Sequence, residues 1–205
     1  MSDGRSAPSR PSHLACRPRW LLMDPLSDPS RLSASSVVAE FRRILREGEG
    51  QPAGGGHAAG LLGELHSTNI AQWQFEDDGR TVGADDATVA SAKRAIDRLN
   101  ATRHRLIEAI DAGIDAAVSQ VAAAPLATES PAMVFDRLSV LVIRIHHTER
   151  AAASRGSDTN SFARRLPVLR RHLAALEEAL DGLLQDVRKG SRRFTPYQQL
   201  KLYAP

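Results

Sequence analysis

The sequence predicts an all-α protein, an antiparallel bundle of four long helices preceded by a short N-terminal helix. Three observations carry this. Aromatic residues make up only 4 % of the chain and its apolar residues are mostly Ala and Leu, whereas strands favour β-branched and aromatic residues. Apolar positions recur at three- and four-residue spacing, with no alternating strand pattern and no internal repeat. The periodic segments are joined by short connections, which argues for antiparallel neighbours. A chain of 205 residues holds one domain with tails and buries a real core.

The elements follow in order. Residues 1–34 are rich in Ser, Pro and Arg, lack periodicity, and are expected to form a disordered tail. Met23 is an alternative start within it. A first helix is expected over Ser36–Glu47, with Val37, Val38, Phe41, Ile44 and Leu45 on one side. Gly48–Gly56 lacks the Gly-Lys-Ser/Thr ending of a phosphate-binding loop and reads as a connector. The second helix covers His57–Asp78. Asp85 and Asp86 offer an N-cap for the third and longest, Asp86–Ala123. Ser130 caps a fourth over Pro131–Ala153, with Pro131 at its first position. The fifth, Ser161–Arg188, carries an unbroken stripe from Leu166 to Val187, and Pro167 should kink or restart it. The bundle domain is thus residues 35–190, and residues 191–205 form a basic, aromatic tail expected to pack on it.

Charge is unevenly placed. Arg outnumbers Lys by 24 to 3, a bias expected of a GC-rich genome of actinobacterial kind. Residues 1–34 carry five Arg and three Asp, and residues 188–205 carry five basic residues and no acid. With a total of +3, residues 35–187 are left at −4. Such a body has no general field for nucleic acid. The single cysteine, Cys16, excludes disulfides and Cys-based zinc sites within one chain. No apolar run approaches the roughly 18–20 residues of a membrane span, and Trp20–Met23 is too short for a signal-peptide core. A soluble cytoplasmic protein is expected.

The second helix is the most informative segment. Its inward stripe begins as Ala58, Leu62 and Leu65 but continues as Asn69, Trp73, Glu76 and Arg80. An amphipathic helix keeps that stripe apolar, and buried polar groups must be partnered. The stripe is therefore expected to line a polar pocket or an interface. Helix three repeats the anomaly, with Arg103 in the row Ile96, Leu99, Leu106, Ile110 and Ile114. A buried guanidinium needs a carboxylate or an anionic ligand. Glu76 is one candidate partner; an anion clamped by Arg103 with Arg80 or Arg137 is the other. Asp97, Asn100, His104, Glu108 and Asp111 share one face of helix three. Helix four offers Asp136, Arg137, Arg144, His146, His147 and Glu149, and helix five only exposed-looking charge.

No nucleophile elbow surrounds Ser139. The Glu-x-x-His pairs of di-iron bundles are absent. Glu64 and His66 lie about 200° apart on a helix and diverge. No metal and no cofactor are expected. The candidate catalytic residues are His66, Glu76 and Asp77, as acid–base groups. The candidate ligand-binding residues are Asn69, Trp73, Arg80, Asn100, Arg103 and Arg137.

Three blocks carry a family resemblance. These are Glu-Leu-His-x-x-Asn-x-x-x-Trp-x-x-Glu-Asp (64–77), Lys-Arg-x-Ile-Asp-x-Leu-Asn-x-x-Arg (93–103) and Asp-Arg-Leu-Ser-x-Leu (136–141). Over about residues 57–203 the chain resembles a bacterial domain-of-unknown-function family, forty-two fifty-four. The resemblance implies an all-α fold and a setting among biosynthetic genes, either sugar-transfer loci or the secondary-metabolite clusters of actinomycetes. It implies no settled activity, so no catalytic role is carried over.

Two functions are expected from different classes. One is an anionic small molecule held between helices two, three and four, with cofactor-free acid–base chemistry. The alternative is a non-catalytic accessory subunit whose polar stripe docks a biosynthetic enzyme chain. A homodimer is compatible with either.

Overall fold

The computed structural model describes residues 32–48, 60–81, 83, 85–154 and 159–200. Residues 1–31 with Cys16 and Met23, 49–59, 155–158 and the last residues with Tyr203 lie outside the described residues, while Leu32 and Ala34, at the end of the expected disordered tail, are buried in the core. Five helices follow one another: α1 Ala34–Gly48, α2 Gly60–Gly79, α3 Asp86–Ala117, α4 Pro131–Ala153 and α5 Thr159–Arg188. No strand occurs among the described residues, and the fold is all-α, a four-helix antiparallel bundle with α1 added. The most extensive packing is within two hairpins, α2 with α3 and α4 with α5.

The starts of the helices are written in their caps. Ser33 Oγ accepts from Ser36 N at 3.3 Å, and Asp181 Oδ1 accepts from Ala34 N at 2.7 Å. The carboxylate thereby meets the positive end of α1. Asp85 caps α3 through Thr88 N at 2.7 Å, and Ser130 caps α4 with Pro131 in its first turn.

Apart from small shifts at other helix ends, two expectations fail. Helix α3 ends at Ala117 instead of 123, where Val118 turns extended. Ala122–Ala124 are good helix formers but make a turn, with Ala124 N donating to Val121 O at 2.9 Å, beside residues that pair with the C-terminal segment. Ala127 N donates to Arg193 O at 2.7 Å and Arg193 N to Pro125 O at 3.0 Å. Tertiary pairing here overrides propensity. Helix α5 runs without a restart through Pro167. The hydrogen bond that proline forfeits would have ended on Ala163, which is exposed and solvated.

Helix α1 is short but central. Ala34, Val37, Val38, Phe41, Ile44 and Leu45 are buried, and the helix packs on α4, α2 and α5. Phe41 is fully enclosed among core residues that include Leu65, Phe135, Leu138 and Leu180.

Helix α5 ends in a reversal that sets the course of the tail. Gly190 N donates to Val187 O at 3.1 Å and Ser191 N to Asp186 O at 3.0 Å, the paired bonds of a Schellman ending. Gly190 has φ +69°, and a Cβ there would stand 2.9 Å from Val121 Cγ2. Both the backbone angle and the close approach require glycine. Residues 191–200 then run along the polar face of α3. Phe194 is buried and its N–H reaches Gln120 Oε1 at 2.6 Å. Tyr197 N donates to Asp111 Oδ2 at 2.9 Å, Tyr197 Oη pairs with His104 Nδ1 at 2.7 Å, and Gln199 N meets Glu108. Asp111 also accepts from Ala132 N at 2.9 Å. One buried carboxylate thus ties α3, the start of α4 and the tail. Its burial raises its pKa, against the pull of these donors.

Phe41→Ala is expected to cost about 3–5 kcal/mol in denaturant unfolding, as large apolar truncations in enclosed cores do. Val89→Ala, on an exposed position of α3, is expected to stay within about 0.5 kcal/mol. Equal effects would show that α1 is peripheral.

Candidate functional site

The polar stripe of α2 is partnered in the core. Asn69 Nδ2 donates to Asp136 Oδ1 at 3.0 Å and to Ser139 Oγ at 2.9 Å. Ser139 Oγ in turn meets His66 Nδ1 at 2.8 Å. Asp136 receives Arg103 in a bidentate pair, Nε to Oδ1 at 2.7 Å and a terminal nitrogen to Oδ2. The order Arg103–Asp136–Asn69–Ser139–His66 links α3, α4 and α2. Asp136 and Ser139 lie one turn apart on α4, and His66 and Asn69 one turn apart on α2, so each pair presents one face. The ion pair favours the charged guanidinium and raises the Arg103 pKa.

His66 is not a general base at a cleft. It is fully buried and stacks on Phe41 with centroids 4.3 Å apart. Desolvation lowers its pKa to about 3, while the Phe41 carbonyl opposes the shift. Its Nε2 lies toward that carbonyl without a hydrogen bond of ordinary geometry. The ring is therefore a neutral core group, and its helix phase alone did not show how deeply it sits.

The lower half of the stripe divides: Trp73 lines a cleft, Glu76 is half-buried and Arg80 emerges into solvent. Glu76 does not partner Arg103. It accepts from Gln72 of its own helix at 3.3 Å and from Arg80, just past the end of that helix, at 3.1 Å. Arg80 is 74 % exposed, so it does not join Arg103 in an anion clamp. Asn100 is half-buried on α3 and lines neither cleft described below.

The concave surface lies further along, against α5. A cleft of about 940 Å³ is lined by Trp73 and Asp77 of α2, Arg144 and His147 of α4, and Phe162, Arg165 and His172 of α5, among others. Trp73 stacks on His147 with centroids 5.0 Å apart and planes 5° apart. Desolvation, then the neighbouring His146, lowers the His147 pKa, while Asp77 pulls it up. His147 thus enters the cleft as a neutral imidazole. Arg165 lies over the Phe162 ring at 5.3 Å. The indole Nε1 of Trp73 is enclosed with no acceptor among the described residues.

A second cleft of about 570 Å³ continues between α3, α4 and α5, lined by Arg103, Asp136, Arg137, Leu141, Arg144, His172 and Leu176, among others. Arg137 is exposed and pairs with Glu129. Of the expected set, the structure brings Trp73 and Asp77 to the first cleft and Arg103 and Arg137 to the second. Asn69 stands behind Asp136. Arg144, the junction of the two clefts, stands seven residues after Arg137, two turns along the same face; that spacing was the signal available for it. Arg164, Arg165 and His172 of α5 gave none, since charges bordering a cleft read like surface charges.

The family model described as Protein of unknown function (DUF4254) matches residues 59–195. The chain belongs to this family. No curated protein and no solved structure matches it. The match spans α2 to the early tail and includes the whole buried polar chain and both clefts. Among the described residues no group of His, Cys, Asp and Glu is placed to hold a metal ion, and no helix is long and apolar enough to cross a membrane.

Two outcomes follow. The pKa of His66 is depressed from 6.5 to about 3, so between these values the unfolded chain binds a proton that the folded chain refuses. Stability is full above pH 6.5 and falls toward pH 3, by at most about 1.4 kcal/mol per pH unit from this group. His147, shifted the same way, adds to the slope. Urea unfolding at pH 7, 6 and 5 should show the decline, and His66→Gln should remove most of it; an unaltered slope in that variant would rule out His66 as its source. Separately, Arg103→Ala strands Asp136 and is expected to cost about 2–3 kcal/mol, below the scale of a fully enclosed pair because the guanidinium keeps 26 % exposure. Unchanged unfolding would show the pair to be dispensable.

Proposed function

We propose that the protein binds a small anionic molecule in the groove where α4 and α5 meet α2 and α3. The observation that carries this reading is Arg144. Its exposed guanidinium stands at the junction of both clefts and has no carboxylate partner among the described residues. Arg103 and Arg137, by contrast, are engaged by Asp136 and Glu129. A guanidinium offers a planar fork of donors that suits carboxylate and phosphate oxygens. Arg164, Arg165 and His172 border the same surface, so the local balance is basic although residues 35–187 as a whole are acidic.

The groove also supplies an acid–base pair. His147 is neutral and Asp77 acts on it electrostatically. Asp77 keeps the role expected of it, His147 takes that of His66, and any proton transfer in this reading runs through these two. A place in bacterial biosynthetic metabolism rests on the family resemblance alone. The accessory-subunit alternative has no observation of its own. The exposed large apolar side chains, Val89, Val121, Leu126, Val168 and Leu200, are spread over four separate segments of the described chain.

Calorimetric titration with inorganic diphosphate at low salt tests the reading. The wild-type chain is expected to bind, and Arg144→Ala, a surface change with unaltered unfolding, to bind at least about tenfold more weakly. Equal binding by both proteins, or none by either, overturns it.

A further inference from the structure

The two clefts share Arg144 and His172 and so form one furrow along α4 and α5. On α4 its lining runs from Arg137 through Arg144 and His147 to Ala151, a stretch of about 20 Å at helical rise. Its ends differ in chemistry. The end nearer the α4–α5 connection is aromatic, with the stacked Trp73–His147 pair and Phe162. It also holds Asp77, the only carboxylate among the described residues lining that cleft. At the other end Arg103 and Arg137, paired with Asp136 and the exposed Glu129, stand beside Leu141 and Leu176. Arg144 stands between, about 10 Å along the helix from Arg137, a separation that two long arginine side chains can bridge from opposite sides of a linked pair of anions.

Resting on the anion-binding reading above, we infer that the ligand is a nucleoside diphosphate, laid along the furrow in a fixed order. The planar base stacks at the Trp73–His147 and Phe162 end. The sugar hydroxyls donate to the Asp77 carboxylate, which only accepts. The first phosphate meets Arg144 and the second extends toward Arg137. Each part answers a feature that a simpler ligand leaves unused. A free phosphate leaves the aromatic end empty, and a neutral ring leaves the Arg144 guanidinium unpaired. Stacking on aromatic side chains tolerates any base, so purine and pyrimidine rings both fit.

The test is calorimetric titration of the full chain with ADP, UDP, AMP, adenosine and inorganic diphosphate at one low salt concentration. ADP or UDP is expected to bind at least about tenfold more tightly than diphosphate, the scale of one stacked base, with AMP between. Trp73→Leu should bring ADP down to the affinity of diphosphate while leaving diphosphate itself unchanged. His147→Gln does the same from the other half of the stack, should the first variant fold poorly. Arg137→Ala should bring ADP to the level of AMP. Diphosphate bound through Arg144, with ADP and UDP no tighter, overturns the two-part ligand and leaves the anion site standing. Tight ADP binding indifferent to Trp73 and His147 also overturns it. Binding by none of these probes overturns both readings.

Discussion

The structure depends on one constraint, the need to satisfy every polar group buried where α2, α3 and α4 converge. Arg103, Asp136, Asn69, Ser139 and His66 do this in a single chain of contacts. Apolar packing alone would let helices slide by a turn, because neighbouring Leu and Val positions are nearly interchangeable. A slide here would strand a carboxylate, an amide and a hydroxyl in the core at once. The chain therefore fixes the register of three helices. It also fixes which face of α4 looks outward, and that face carries Arg137, Arg144 and His147 to the furrow. Specific docking and the shape of the candidate site have the same origin.

Much of the fold was legible because it is local. Asp85 and Ser130 announce their helices through short side chains that reach the first free amides, and Pro131 fits where no amide is needed. Five inward residues of α1 follow from spacing alone; Ala34, the sixth, was placed in the tail because one alanine beside serines carries no period. What was not legible depends on distant partners. Ala122–Ala124 read as helix because nothing nearby shows that Arg193 will claim the neighbouring backbone. Pro167 read as a break because sequence does not show that the carbonyl it leaves free faces water.

The site was legible as an anomaly and not as an arrangement. Asn69 and Arg103 interrupt apolar stripes, which correctly marks them as groups needing partners. Glu76 looked like the partner of Arg103 because it lies on the same kind of stripe. Asp136 takes that place because the rotation of α4 about its axis brings it inward, and no single helix encodes that angle. His66 looked reactive because an imidazole titrates near neutrality in water; enclosure beside Phe41 removes that property. The wall supplied by α5 was hidden, since a charge beside a cleft and a charge on a convex surface share one sequence pattern.

The position of α1 has a consequence for where the domain begins. The family match starts at residue 59, after α1 has ended, yet Val37, Val38 and Phe41 are nearly or wholly enclosed. The unit defined by similarity and the unit defined by physics are therefore not the same length. A fragment cut at the start of the match would open an apolar trough across α2, α4 and α5 and bare the ring of His66 on the side that Phe41 now covers. In this chain the trough is filled by the helix that precedes the matched segment. What lies there needs only an apolar face of suitable bulk, but without it the core of this chain is open.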